Sequence, residues 1–244
     1  MSKIIAVWGG KHSGKTTFAV NLACALSKRD VLVGLISSNL TYGELQTFFG
    51  QEVLPQKGLF EALNAETPNI GENFTAYTES KNLFFLSAPT KYSGLLCDTV
   101  AIEDVERMIN ASALAFDLLI VDGAAEVNNP VSGVGLWLSD TIFTLHRPSI
   151  AAKMWYTGVS DFARELHIEE KQIHILRAPN GEFDDQAYRS IMETPFVYEV
   201  PHIKRAGELE NAGTPLYFFR DRACRCYGKA LEQIAGKICG GGKP

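Results

Sequence analysis

The stretch that decides the fold reads Ile4-Ile5-Ala6-Val7-Trp8-Gly9-Gly10-Lys11-His12-Ser13-Gly14-Lys15-Thr16. Its first five residues are apolar, which predicts a short buried strand. The residues from Gly9 to Thr16 match G-x-x-x-x-G-K-[ST] at every specified position, and apolar residues at helical spacing follow as far as Ser27. A strand, this loop and a helix in that order predict a loop that binds phosphate.

The residue types of this loop suit an anion. Glycines let consecutive backbone N–H groups turn inward, and the positive end of the following helix adds to the field. Lys15 is predicted to neutralise the β- and γ-phosphates of ATP or the phosphates of ADP, and the Thr16 hydroxyl is predicted to ligate Mg²⁺. Asp122 ends the apolar run 118–121, so it is the candidate carboxylate on the metal side, acting directly or through water.

Short apolar runs and helical patterns alternate along the whole chain. Continuous apolar strands that are each followed by a helix predict an α/β fold, with a mostly parallel twisted sheet and helices on both faces. We expect a single domain over residues 1–244, with a flexible tail from about residue 239 and a helix-and-loop excursion at 51–80. Strands are predicted at 4–8, 31–36, 82–86, 118–121, 141–145, 172–176 and 196–200, and helices at 16–27, 101–114, 151–166, 185–192 and 223–238.

Length and composition exclude several classes of protein. The chain has 244 residues, 46% of them hydrophobic, which is typical of a folded protein. Its formal net charge of −5 argues against general electrostatic binding to DNA. No apolar run reaches the roughly 18 residues of a transmembrane helix, and the N-terminus lacks a signal-peptide pattern. The five cysteines are an odd number without a C-x-x-C pair, and in the absence of a secretion signal they indicate reduced thiols in a cytoplasmic protein.

Several segments together resemble the MinD/ParA group of P-loop ATPases. Four segments follow the order found in that group: the doubled threonine Thr16-Thr17, FDLLIVDGAA at 116–125, LSDTIFTLHRPSIAA at 138–152 and VPHIKRAGELENAGTPLYFF at 200–219. The resemblance implies an ATPase that forms a homodimer in response to nucleotide. With the loop motif it implies a nucleotide site made of Gly9, Gly10, Lys11, His12, Ser13, Gly14, Lys15, Thr16, Thr17 and Pro201.

Within the group, the chain is most similar to the TadZ/CpaE-like ATPases that localise pilus assembly. This resemblance rests on two stretches, NLFFLSAPTKYSG at 82–94 and VAIEDVERMINASALAFDLLIVD at 100–122. It implies a cytoplasmic protein that acts with protein components of a pilus or secretion system and is recruited by a partner to the membrane or the cell pole. Direct binding to DNA is not expected, nor is direct binding to membrane, since the tail is rich in glycine and alanine.

Three positions depart from the group's pattern. Gly10 stands where the group has a lysine that reaches the partner's nucleotide, and Lys11 follows one residue later. Ser37-Ser38-Asn39 stand where the group ends its second strand with two aspartates, and neutral oxygens cannot abstract a proton. Arg177 lies near the place where many members of the group have an asparagine that contacts the nucleotide base. The resemblance implies that this base is adenine. The departures predict slow hydrolysis with nucleotide binding retained.

Alternatives remain open for several residues and for the function. Lys11 either reaches the nucleotide of a partner subunit or is a solvated loop lysine. His12 either contacts phosphate or is an exposed loop residue. Arg147 faces the site or solvent, and Glu126 replaces a missing carboxylate or is a polar loop residue. The alternative functions are a dimeric scaffold deficient in hydrolysis, a ParA-like DNA-partitioning ATPase and a small-molecule ligase.

Overall fold

The computed structural model describes residues 3–65, 69–91, 100–178 and 183–240 of the chain. Cys97 and the tail residues 241–244 lie outside these ranges, and so does the end of the stretch 82–94. The strands are β1 Lys3–Gly9, β2 Val33–Ser37, β3 Thr75–Ala76, β4 Leu83–Leu86, β5 Leu118–Asp122, β6 Thr141–His146, β7 Gln172–Arg177 and β8 Tyr198–Val200.

Helices connect these strands, together with short 3-10 turns at Ile70–Asn73, Glu169–Lys171 and Leu216–Phe218. The helices are α1 Lys15–Ser27, α2 Glu44–Phe49, α3 Leu59–Asn64, α4 Ile102–Ala115, α5 Pro130–Leu138, α6 Ile150–Glu165, α7 Asp185–Met192, α8 Ala206–Glu210 and α9 Arg222–Cys239. In the described part of the chain, no helix combines the length and the apolarity that a bilayer crossing needs.

The eight strands form one sheet in the order β3-β4-β2-β5-β1-β6-β7-β8. Every neighbouring pair is parallel except β3 and β4, which confirms the predicted α/β class with a mostly parallel sheet. The register places Asp122 beside Val7 on one side and beside Ser37 on the other. The carboxyl ends of β1, β2 and β5 therefore meet at one edge of the sheet, where ligands bind in such folds.

Helices cover both faces of the sheet. On one face α1 lies between the strands and α9, so that every residue from Phe18 to Ser27 is buried. The other face packs against α3 to α6, and a separate small cluster joins α7 to β7. Burial from both sides explains why α1 shows little amphipathic pattern, since a helix buried all round has no polar face.

The structure contains elements that the sequence patterns do not reveal. Helix α5 has the apolar sequence PVSGVGLWL and is largely buried, so its pattern lacks the polar face of a surface helix. It approaches β5 closely, because a Cβ on Gly135 would lie 2.7 Å from the Cγ1 atom of Val121. The weakly patterned region 51–80 contains α3, a 3-10 turn and the two-residue antiparallel strand β3.

Candidate functional site

The loop between β1 and α1 has an unusual backbone. Gly9 and Gly14 have φ angles of 155° and 91°, and His12 has a φ angle of 60°. A Cβ on Gly9 would lie 2.6 Å from the Ser13 Oγ atom and 2.7 Å from the Leu145 carbonyl oxygen, so only glycine fits there. Gly14 immediately precedes α1, and its left-handed conformation turns the chain into the helix. This is the backbone shape that a phosphate-binding loop requires.

A cleft of about 580 Å³ opens beside this loop, at the carboxyl edge of the sheet. It is formed by the start of α1, the ends of β2 and β5, the start of α2 and the segment that leads into α5. The lining residues include four that the sequence predicted for the site, Lys11, Lys15, Thr16 and Asp122, and others that it did not, among them Glu44, Asn128 and Asn129.

Asp122 is the most buried acidic group of the cleft. The residue is 2% exposed, and its Oδ1 atom has no hydrogen-bond partner among the described residues. Burial raises the pKa of the Asp122 carboxyl to about 7, and the charge of Glu44 adds to this rise, whereas Thr16 and Lys15 oppose it. An orphaned carboxylate oxygen next to a threonine hydroxyl suits a divalent cation, which prefers oxygen ligands. These residues therefore fit Mg²⁺.

The segment after β2 presents neutral groups to the cleft. Ser38 donates its backbone N–H to the Asp122 carbonyl oxygen at 3.0 Å, and its own carbonyl oxygen accepts a hydrogen bond from Asn129. The Oδ1 atom of Asn39 accepts bonds from the backbone N–H groups of Thr41 and the next residue, which forms a tight turn. The Nδ2 atom of Asn39 donates a hydrogen bond of 3.1 Å to Glu44 Oε2. A carboxylate therefore reaches this place from α2 rather than from the turn 37–39 itself.

Lys11 forms an ion pair with Glu126 across the mouth of the cleft. The Lys11 Nζ atom lies 3.0 Å from Glu126 Oε1, and both side chains are exposed. The hydrogen bond from Lys11 lowers the pKa of Glu126 below its usual range. Exposed pairs of this kind contribute little to stability, so the pair can exchange for other partners. Both residues also line a second cavity of about 610 Å³ on the other side of the loop, together with His12, Arg147 and Trp155.

Thr17, Pro201 and Arg177 line a third cavity, of about 60 Å³, on the α8 side of the loop. The Nη1 atom of Arg177 lies 3.5 Å from the point that a Cβ on Gly14 would occupy. Beside this cavity lies the buried carboxyl of Glu210; burial raises its pKa to about 7, and Thr17 opposes this rise. The sequence did not single out Glu210, because the pattern A-G-E-L-E does not show which of its two glutamates is buried.

The described cysteines lie apart from the cleft. Cys24 and Cys224 are buried, Cys226 and Cys239 are exposed, and all four are free thiols. The described ranges contain no group of three or more histidine, cysteine, aspartate or glutamate side chains arranged to hold a metal ion.

Comparison with protein-family models and with curated proteins gives no match. Solved structures match over nearly the whole chain. The septum site-determining protein MinD from Pyrococcus horikoshii OT3, complexed with Mg-ADP, has a TM-score of 0.80 at 17% identity, covering 100% of this chain and 99% of that one. A ParA family ATPase from Chlorobium tepidum TLS has a TM-score of 0.80 at 18% identity, covering 96% and 98%.

A third similar structure is the MinC:MinD cell division protein complex from Aquifex aeolicus, with a TM-score of 0.77 at 17% identity, covering 100% of this chain and 98% of the other. At identities this low, the structural similarity shows the fold. The structural neighbours are MinD/ParA-family ATPases, and this chain has the fold of the MinD/ParA P-loop ATPases.

Proposed function

We propose that the chain binds ATP and ADP with Mg²⁺ and hydrolyses ATP slowly, and that its nucleotide state positions or assembles a larger protein machine. One observation carries the proposal. Lys15 and Thr16 of the phosphate loop share one cleft with Asp122, whose buried Oδ1 atom has no hydrogen-bond partner among the described residues. A cation held between phosphate oxygens and these side chains would satisfy that atom.

Each residue has a distinct part in the proposed binding. Backbone N–H groups of residues 9–14 surround the phosphates, and Lys15 neutralises their charge. Thr16 holds Mg²⁺ through its hydroxyl, and Asp122 holds it directly or through water. The bound cation would withdraw charge from the β- and γ-phosphate oxygens. Thr17 and Pro201 contact the nucleotide from the α8 side of the loop, where they line the same small cavity.

Two features support slow hydrolysis. The turn Ser37-Ser38-Asn39 itself offers only neutral side chains, where the resembled group has two aspartates, and Gly10 has no side chain to stabilise the developing charge. Loss of one electrostatic or positioning group lowers an enzyme rate by roughly a hundredfold. We therefore place turnover well below the enzyme median of about 10 per second.

A nucleotide-dependent homodimer is part of the proposal. Lys11 is exposed at the mouth of the cleft, where a second copy could accept it, and its exposed pair with Glu126 offers little resistance to exchange. The similar MinD from Aquifex aeolicus is in complex with a second protein, MinC, which supports a protein partner for this chain as well.

We propose that the partner belongs to a pilus or secretion system and recruits this cytoplasmic protein to the membrane or pole. The TadZ/CpaE-like sequence order at 82–94 and 100–122 supports this assignment. A dimeric scaffold that binds nucleotide without hydrolysing it is a second candidate, favoured by the neutral turn at 37–39. A DNA-partitioning ATPase is a third candidate, favoured by the exposed basic residues Arg222, Arg225 and Lys229 on α9, although the net charge of −5 opposes it.

The binding proposal is tested by thermal unfolding with and without ATP and Mg²⁺. A ligand at 100 times its Kd stabilises the folded state by about 2.7 kcal/mol, and Lys15→Ala should remove most of that gain. Lys81→Ala is the matched control, because Lys81 is exposed at the opposite end of β4 from the cleft. Equal stabilisation of wild type and Lys15→Ala would contradict the role of Lys15. A wild type that ATP does not stabilise would contradict the binding itself.

A further inference from the structure

Glu44, the first residue of α2, places a carboxylate in the cleft at the position where the turn 37–39 is neutral. We propose that Glu44 is a catalytic residue that orients the attacking water and accepts its proton during ATP hydrolysis. The inference rests on the proposed nucleotide function and deepens it, because it names the group that carries out the chemical step.

The side chain of Glu44 is held by a hydrogen bond from the turn after β2. Asn39 donates a hydrogen bond of 3.1 Å from Nδ2 to the Oε2 atom of Glu44. The other carboxylate oxygen, Oε1, accepts no hydrogen bond from a described residue, although Glu44 lines the cleft. The turn that replaces the aspartates of the resembled group therefore orients a carboxylate through its asparagine amide, and one oxygen remains available to water.

The cleft contains an independent sign of a ligand. Asp122 is 2% exposed, and its Oδ1 atom, buried beside the same cleft, lacks a hydrogen-bond partner among the described residues. Lys15 and Thr16 line the cleft as well. A carboxylate oxygen without a partner suits a cation, and a lysine in the same cleft suits the phosphates that the cation would accompany. Glu44 lines this cleft as well.

The other carboxylates of the cleft have partners or roles of their own. Of the described residues that line it, the acidic ones are Glu44, Asp122 and Glu126. Asp122 is assigned to the cation, and Glu126 is paired with Lys11 at 3.0 Å. Serine and asparagine side chains can hydrogen-bond to water but cannot take its proton at neutral pH. Glu44 is thus the carboxylate left for general-base chemistry.

The proposed step balances in atoms and charge. The water oxygen forms a bond to the γ-phosphorus, and the bond from that phosphorus to the β,γ-bridging oxygen breaks, so that its electron pair leaves with ADP. One water proton passes to the Glu44 carboxylate, which returns it to solvent after phosphate departs. No other reactant is required.

The test compares wild type with Glu44→Gln, in which a side-chain oxygen can still accept the Asn39 hydrogen bond. Glu52→Gln is the matched control, because Glu52 is exposed and does not line the cleft. Glu44→Asp keeps the carboxylate on a shorter stem. Three quantities are measured: the single-turnover rate with radiolabelled ATP, the Kd of a non-hydrolysable ATP analogue, and the ATP-to-ADP ratio of the nucleotide that remains bound after desalting.

We expect Glu44→Gln to lower the rate roughly a hundredfold, which is a usual effect of losing a general base, while the analogue Kd changes less than about threefold. Bound nucleotide should then be mainly ATP in Glu44→Gln and mainly ADP in wild type and in Glu52→Gln. Glu44→Asp should retain more of the rate than Glu44→Gln.

Two results would overturn the inference. One is a Glu44→Gln rate equal to that of wild type, and the other is a parallel loss of rate and analogue affinity, which would make Glu44 a binding or folding residue. A wild type that binds the analogue but never converts ATP would also overturn it and leave the binding function standing. Failure of wild type to bind the analogue would instead reject the proposed function.

Discussion

The indole Nε1 atom of Trp155 donates a hydrogen bond of 3.0 Å to the carbonyl oxygen of Ala125, three residues after Asp122. The same indole covers Gly10, since a Cβ on Gly10 would lie 3.3 Å from its ring, and it makes a T-shaped contact with the ring of Trp8. One side chain of α6 thus contacts both the phosphate loop and the segment after β5. This contact gives a physical reason for the glycine at position 10, where the resembled group has a lysine.

Replacing Gly10 by lysine should therefore destabilise the protein. The new Cβ would press on the Trp155 ring, and overpacking of this kind costs about 1–3 kcal/mol. In a Trp155→Leu background the same replacement should cost less, because the smaller side chain leaves room. Urea unfolding of the four proteins in a double-mutant cycle measures the coupling.

The control for this cycle is Gly158→Lys, a similar change on α6 where, apart from the surrounding helix backbone and the two chain neighbours, nothing lies within 4 Å of the new Cβ. It should be neutral or slightly stabilising, because glycine disfavours a helix interior by about 1 kcal/mol. Additive costs of Gly10→Lys and Trp155→Leu would show that the ring does not restrict position 10.

The rate of ATP hydrolysis per protomer should rise with protein concentration, because a second copy would bring its Lys11 to the nucleotide. Lys11→Ala should remove this rise, whereas Lys81→Ala should not. Steady-state phosphate release over a range of protein concentrations makes the measurement. Fast turnover that is independent of concentration would contradict both the slow basal rate and the dimer-assembled site.

Asp122→Asn should change stability in opposite directions with and without ligand. Burial raises the pKa of Asp122 to about 7, above its value in the unfolded chain, so its ionisation opposes folding increasingly as pH rises from about 4 to 7. Without nucleotide the neutral asparagine should stabilise the fold at pH 7 by on the order of 1–3 kcal/mol. With ATP and Mg²⁺ the variant should gain less stability than wild type.

Urea unfolding at pH 5 and pH 7 measures the first effect, and ligand-dependent thermal shifts measure the second. Asp30→Asn is the control, because Asp30 is an exposed turn residue and asparagine tolerates its positive φ angle. A loss of stability in the ligand-free Asp122→Asn variant at pH 7 would contradict the prediction.

The protein should lose stability in mild acid through a buried histidine pair. His146 Nε2 lies 2.9 Å from His174 Nδ1, and Tyr188 contacts the other nitrogen of His146 at 3.2 Å. Burial lowers the pKa of both histidines well below their usual range. The unfolded chain takes up these protons near pH 6.5 and the folded chain does not, so stability should fall as pH drops from about 6.5 toward 4.

His174→Gln should reduce this pH dependence by up to about 1.4 kcal/mol per pH unit, the value for one proton. Urea unfolding at several pH values between 5 and 7 tests the change in slope. His167→Asn is the matched control, because His167 is exposed in a turn and lies outside the buried pair. An unchanged slope in His174→Gln would show that the folded chain already accommodates a charge there.

The sheet and the glycine-rich loop between β1 and α1 could be predicted because their signals are local. An apolar run marks β1, the glycine pattern marks the loop, and Asp122 ends an apolar run that becomes β5. Helix α5 could not be predicted in the same way. Contact with β5 and with α4 buries it, and burial removes the polar face that would reveal a helix.

By itself, the sequence determined the α/β class, the glycine-rich loop after β1 and the strand end that brings Asp122 beside it, because each of these features depends on short-range spacing. Only the tertiary structure decided that Glu44 lines the cleft beside Asp122, that Trp155 covers Gly10, and that Lys11 pairs with Glu126. These contacts join side chains from elements that are distant in the chain or separated by a turn. Their positions depend on how helices pack against the sheet, which no local pattern encodes.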